Sequence, residues 1–319
     1  MIPGTFISEQ QTNYYGNLRN PINCITFAIV MRIVNILGGL GNQMFQYALY
    51  KALQKKFPTE DVKIWTGAFR GYGKHNAYEL ERVFGLKTEA ASTAEMMRIA
   101  YPYVHYRLWQ AGFHLLPQRR TMFKEQVFGH YYANVLERQG DCYYDGYWQN
   151  EKYFADIRTE LLKTFVPTDI DEKNAETARQ LATSNSVAIH VRHGDFLKLP
   201  VYRDICGLDY YQQAIAEIQH RTQVDTFSIF SNDMDWCREQ IVPLLKGTAY
   251  IAADWNTGEK SYLDLYLMSQ CRHNIIAHSS FSWWGAWLNQ HDDKLVIGPR
   301  KWNNLKTSDF ELSPEWIKI

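Results

Sequence analysis

The sequence predicts an α/β protein of two halves, each a parallel sheet covered by helices, facing one another across a cleft. Three observations predict it. Short apolar runs rich in β-branched residues alternate with helix-compatible segments along most of the 319 residues. Several of those runs are apolar throughout, as strands covered on both faces should be. A polar, proline-bearing stretch, VPTDIDEKN, interrupts the rhythm near 166–172 and divides the chain into domains of 31–168 and 169–319.

Residues 1–30 read apart from the rest. INCITFAIVM, from Ile22, is a ten-residue apolar run, too short for the ~20 residues of a membrane span. A signal peptide wants a positive start and a small-residue cleavage site; Arg19 precedes the run, but Met31–Arg32 follows it and the region before it is polar, and MRIVNILGG at Met31 looks like a natural chain start. Residues 1–30 are therefore expected to be a weakly ordered extension. RIVNIL (32–37) then reads as a strand, GGLGN as a loop and QMFQYALYKALQKKF as a helix, with VKIWTG (62–67) as the second strand of a βαβ unit.

Residues 91–130 read as helical with a break at Pro102. Between Arg98 and Lys124 they hold five basic residues and no acid. Two readings stand: a packed insert with a solvated basic face, or a peripheral surface near the acceptor that faces anionic lipid. CYYDGYWQNEKYF (142–154) is a short strand, a turn and a helix start, and Pro167 closes that helix. In the second half SVAIHV (186–191), TFSIFS (226–231), AYIAAD (249–254), HNIIAHS (273–279) and KLVIGP (294–299) are strands, separated by segments such as DYYQQAIAEIQHR and SWWGAWLNQ that suit helices.

Composition narrows the function. Lys plus Arg equals Asp plus Glu, 34 against 34, which argues against a general nucleic-acid binder. Aromatic residues reach 15%, suited to sugar rings or to large aromatic cores. Five cysteines, odd in number and without Cys-x-x-Cys, argue against a zinc ribbon or disulfide framework and fit a reducing compartment. No other long apolar run occurs, so the protein is expected in the cytoplasm, soluble or peripheral at the inner membrane.

Four stretches carry chemistry. In GGLGNQMF (38–45), Met44 stands where a dinucleotide-binding loop needs its third glycine, and no Gly-Lys-Ser/Thr follows. What remains is a tight loop that lets backbone approach a ligand at a helix start, with Asn42 and Gln43 as neutral donors. In HVRHGD (190–195), at the carboxyl end of a strand, Arg192 offers a planar fork for phosphate oxygens. His190 shares its face by alternation, while His193 points elsewhere. In FSNDMDWC (230–237), Asp233-Met234-Asp235 suits either a divalent ion against a diphosphate or recognition of a guanine edge by Asn232 or Asp233, while Asp233 as a plain helix cap is the third option. In AHSSFSWWGAWLN (277–289), Ser279, Ser280 and Ser282 sit beside free N–H groups at a helix start, an anion cradle.

Together, GGLGNQMFQYA, DGYWQNEKYF, HVRHGD, FSND and DLYLMSQCRHNIIAHSSFSWWGAWL resemble the bacterial α-1,2-fucosyltransferases of glycosyltransferase family 11, over about Met31 to Trp302. The resemblance implies a GT-B-like fold of two Rossmann-like domains. It also implies GDP-β-L-fucose as donor, inversion at the anomeric carbon, and neither cofactor nor catalytic metal. It places Arg192 on the β-phosphate, His190 near the nucleotide, Asp233 or Asn232 on guanine, and Ser280, Phe281 and Ser282 on phosphate or base. Asn42 would reach the reacting sugar from the other domain. The acceptor, a β-galactoside oligosaccharide or lipid-linked glycan, is expected against Gln43, Asp145 and Trp148. Asp195 and Asp145 are the candidate bases, Asp195 having the alternative of orienting Arg192. Two departures stand out: His193 replaces a second arginine, so its titration is expected to affect the donor site, and His278 stands where asparagine is expected. The alternatives are a metal-dependent sugar-nucleotide transferase and a non-catalytic carbohydrate-binding protein.

Overall fold

The computed structural model describes residues 29–194 and 198–319. Residues 1–28 of the expected extension, and Asp195, lie outside the described residues.

The amino half is a four-stranded parallel sheet of order β2-β1-β4-β3, built from β1 (Met31–Asn35), β2 (Asp61–Trp65), β3 (Met122–Lys124) and β4 (Cys142–Asp145). Helix α1 (Leu40–Lys56) makes the crossover from β1 to β2, and α2 (Leu80–Phe84), α3 (Thr93–Ile99) and α4 (Tyr106–Leu115) fill the long connection to β3. The segment 91–130 is thus helical on both sides of Pro102 but ends in β3. Three buried residues, Met-Phe-Lys, are too few to show a strand period. Helix α5 (Arg158–Thr164) closes the half, and residues 165–171 lead to α6 (Glu172–Thr183).

The carboxyl half is a six-stranded parallel sheet, β7-β6-β5-β8-β9-β10. Its strands are β5 (Ser186–Val191), β6 (Thr226–Ser231), β7 (Ala249–Ala253), β8 (His273–Ile275), β9 (Val296–Gly298) and β10 (Ile317–Lys318). The helices between them are α7 (Leu208–Arg221), α8 (Met234–Trp236), α9 (Tyr262–Gln270) and α10 (Ser280–Leu288). Counted within this half the order is 3-2-1-4-5-6, the doubly wound order of dinucleotide-binding sheets. The order in which strands are added reverses between β5 and β8, which pair in parallel with Ile189 opposite Ile275. That switch point is where such sheets take ligands. Two Rossmann-like α/β halves in a GT-B-like arrangement are therefore what the chain adopts.

The halves meet where α1 crosses α10. Phe45 of α1 packs 4.6 Å from Trp283 and 4.9 Å from Trp284, ring centre to ring centre. Phe154 and Phe165 add a further layer against Trp284, and Trp284 Nε1 donates to the carbonyl of Gly41 at 3.0 Å. The tryptophan-rich helix is thus core shared by both halves.

Gly41 is the closest point of this crossing. A Cβ there would lie 2.6 Å from both Phe281 N and Ser280 C, atoms that cannot yield without moving backbone. The glycine pattern read as a ligand loop therefore serves, at Gly41, the approach of one half to the other. Gly41→Ala is expected to lower unfolding free energy by about 1–3 kcal/mol, the cost of overpacking, in urea titration. Gly73→Ala, where nothing lies within 4 Å of the added carbon, is expected to be near neutral.

Candidate functional site

The site forms where the loops after β5 and β8 face the loops after β1 and β4. Arg192 follows β5 directly. Its charge is felt by two buried imidazoles: His190, one alternation earlier on β5, and His278, after β8. Burial first, then Arg192 and His278, push His190 down to about 3. Burial is also the main cause for His278, pushed down to about 4, with Arg192 lowering it further. Both rings are therefore neutral at physiological pH, and the fixed positive charge here belongs to Arg192. His278 Nδ1 lies 3.0 Å from Cys206 Sγ, a partner no sequence signal indicated.

Helix α10 starts beside them. Ser279 is its cap and accepts the Phe281 N–H at 3.3 Å. The Phe281 ring lies 5.9 Å from that of His190. Ser279, Ser280 and Phe281 are half-buried, open enough to meet a ligand. Ser282 is not: it is fully buried and donates to Ala277 O and Ser279 O. Its expected phosphate contact is corrected to a bond that fastens the helix start. The N–H groups and positive dipole end of a nine-residue helix, next to an arginine, favour an anion.

Ser280 links this cluster to the amino half. Its hydroxyl donates to Asn42 Oδ1 at 2.8 Å, and Gln149 Nε2 donates to the same oxygen at 2.8 Å. Asn42 is thus the bridge between α10 and the loop after β4. Gln149 was missed by sequence reasoning, although it lies in the motif DGYWQNEKYF. Two buried polar atoms here have no hydrogen-bond partner among the described residues, His190 Nδ1 and Gln149 Oε1. Such atoms also occur in the core, at Ser228 and Trp316; those of His190 and Gln149 lie near the half-buried Ser279 and Ser280, where a polar ligand would complete them.

Asp145 closes β4. Asn35 Nδ2 donates to its Oδ1 at 3.0 Å, and Trp109 Nε1 of α4 contacts both oxygens at 2.9 and 3.2 Å. The carboxylate is only 1% exposed. Burial raises its pKa to about 6, against the lowering effect of the two hydrogen bonds and of Lys124. Trp109 occupies both oxygens, so an acceptor hydroxyl would have to replace that bond before the carboxylate, with its pKa near neutrality, served as a general base. Asn35 and Trp109 carried no signal in the sequence, because neither lies in a motif.

Other expected site residues are placed differently. Gln43 is fully buried: its amide donates to Gly38 O and Ala77 O, and its Oε1 accepts the Glu79 N–H. Trp148 is fully buried against Phe123, Tyr144 and Tyr153. Both are corrected from acceptor contacts to supports of the loops around the site. Glu125 does similar work, accepting the N–H groups of Gly129, Tyr147 and Trp148.

His193, Asn232 and Asp233 form a cluster of their own. Asn232 exchanges hydrogen bonds with the His193 backbone, at 3.0 and 2.7 Å. His193 Nδ1 pairs with Asp233 Oδ2 at 2.7 Å, and its ring stacks on Trp236 at 4.4 Å. The other Asp233 oxygen caps α8 through Trp236 N. The bond from His193 holds the Asp233 carboxyl below its usual range. Asp235 pairs separately with Arg238, so the two carboxylates of the Asp-x-Asp pattern are committed to different partners.

Comparison with known proteins adds the following. The family model for glycosyl transferase family 11 matches residues 130–319. An Escherichia coli protein named alpha-1,2-colitosyltransferase is 29% identical over 297 residues, covering 90% of this chain and 98% of that one. Galactoside alpha-(1,2)-fucosyltransferase 2 of Hylobates lar is 27% identical over 302 residues, covering 91% of this chain and 79% of that one. Among solved structures, the apo form of POFUT1 aligns with a TM-score of 0.46 at 10% identity, over 84% of this chain and 97% of that one.

Proposed function

Because the chain belongs to glycosyl transferase family 11, we propose that it moves L-fucose from GDP-fucose to the 2-hydroxyl of a terminal β-galactoside. The observation that carries this reading is the meeting of Arg192, His190 and the start of α10 at the switch point between β5 and β8. Such a place holds a nucleotide diphosphate by permanent charge, helix dipole and hydroxyl groups.

The reaction is a single displacement. The acceptor oxygen bonds to carbon 1 of fucose as the bond from that carbon to the β-phosphate oxygen breaks on the opposite face, giving inversion. The transition state is loose, with negative charge gathering on the departing GDP. Arg192 and the N–H groups of α10 are fixed in place before that charge appears, which is how preorganised donors lower a barrier. Asp145 takes the acceptor proton. Asn42, held by Ser280 and Gln149, sets the distance between the donor and acceptor sides.

The relative named as a colitosyltransferase favours a second reading of the donor. Colitose lacks a hydroxyl that fucose carries, and a site built to hydrogen-bond that group rejects the analogue lacking it by large factors. Incubation with GDP-fucose or GDP-colitose and a panel of β-galactosides, with the new linkage read by NMR, separates the two. Consumption of GDP-fucose with an α-1,2 product is expected. Faster turnover of GDP-colitose would reassign the donor, and release of neither sugar would overturn the reading.

Positive charge from arginine and the helix start serves the leaving group in the role a divalent ion plays in other transferases. Turnover is therefore expected to persist in excess EDTA, and a loss restored by added Mg²⁺ or Mn²⁺ would contradict this account.

A further inference from the structure

We propose that α4 and the turn after it form a docking surface for an anionic lipid bilayer, which seats the acceptor side of the site at the membrane. Helix α4 has two unlike faces. Trp109, Gly112 and Phe113 turn inward: Trp109 reaches Asp145, and a Cβ on Gly112 would lie 2.4 Å from the Tyr103 ring. Phe113 O accepts from Lys124 Nζ. The opposite stripe, Leu108, Ala111 and Leu115 at i, i+3 and i+7, faces away from the protein. Leu108 is 51% and Leu115 80% exposed, and Leu116 continues the apolar surface at 41%. Three leucines this open in nine residues are unusual on a water-facing helix.

The charge carried by this segment itself has one sign. No acid occurs from Met96 to Lys124. Arg107, Arg119 and Arg120 form no ion pair with any carboxylate among the described residues. Arg119 instead donates to Ala100 O and lies over the Tyr101 ring, which folds the turn back onto the end of α3. Arg107 sits in the first turn of α4, which contains no acid, where a cation opposes the helix dipole. A helix optimised for its own stability would carry the opposite charge there.

An apolar stripe bordered by unpaired arginines is the arrangement of a helix lying in the plane of a bilayer surface. Leucines enter the acyl boundary while guanidinium groups meet lipid phosphates. Among the described residues no helix is long and apolar enough to cross a membrane, so contact would be peripheral. Because Trp109 projects from this helix onto Asp145, the docked face lies next to the acceptor side.

The test is flotation of the full chain with vesicles of phosphatidylcholine alone or with about one-third phosphatidylglycerol. Binding to the anionic vesicles is expected, weakened about ten-fold or more by high salt and by the double substitution Leu108→Asp, Leu115→Asp. The melting temperature and GDP affinity of that variant should match the parent. Binding equal on neutral vesicles, absent on both, or unchanged in the variant would overturn the proposal. So would a concentration-dependent dimer that the variant abolishes, since the face would then join copies of the chain. No sugar enters this assay, so its outcome is independent of the donor and acceptor assignment.

Discussion

Replacing Arg192 with alanine is expected to lower kcat/KM about 100- to 1000-fold, the loss found when one preorganised donor to a developing charge is removed. Two neighbours make the change readable by a second route. The Arg192 charge contributes to the lowered pKa values of His190 and His278. Its removal should move both upward, visible as imidazole shifts in an NMR titration, while burial still keeps them below their ordinary value. Arg192→Lys retains the charge but not the planar fork, so it should recover only part of the activity. If alanine left turnover and donor affinity near the parent values, the leaving-group assignment would be wrong. His190 and His278 also bear on the pH profile. Because both stay neutral well below pH 5, neither should contribute a limb between pH 5 and 8.

Asp145→Asn is expected to cost roughly 10²–10⁴-fold in kcat, the range for a positioned base. The pH dependence gives the sign. With its pKa raised to about 6, the carboxylate is ionised above that value, so turnover should climb as pH rises through 6 and level off beyond it. The variant should lose that limb. Stability runs the other way. A buried carboxyl whose folded pKa exceeds its ordinary value costs folding free energy, absent below about pH 4 and fully felt above pH 6. The neutral amide removes the cost, so the variant should melt no lower than the parent at pH 7.5. Retained stability with collapsed turnover identifies the base. Loss of both would assign Asp145 a structural role, and loss of neither would remove it from the reaction.

Much of the carboxyl half was legible because its signals are local. TFSIFS is β6 to the residue, and the serine cluster at 279–282 does open a helix. The meeting of Arg192 with that helix follows from strand order, which no local pattern specifies: β5 and β8 are separated in sequence by two intervening strands. The amino half was less legible for a related reason. Asp145 was visible at the end of an apolar run, but Asn35 and Trp109 reach it across 110 and 36 residues of chain. Burial also misled the reading of polar and aromatic types. Gln43 and Trp148 look like ligand contacts in sequence, yet both side chains face inward, where an amide can satisfy three backbone groups and an indole can fill volume.

The crossing of α1 and α10 also bears on how the two halves move. Many two-lobed proteins open like a clamshell about a flexible connection. Here Gly41 lies against the backbone of Ser280 and Phe281, and tryptophan rings interleave with phenylalanines from the other lobe, so rocking would have to tear apart close-packed aromatic surface. The bond between Ser280 and Asn42 sits beside this packing, so the spacing proposed for the two sides rests on it. Any opening between the lobes would have to break this aromatic packing and the bond from Trp284 to Gly41.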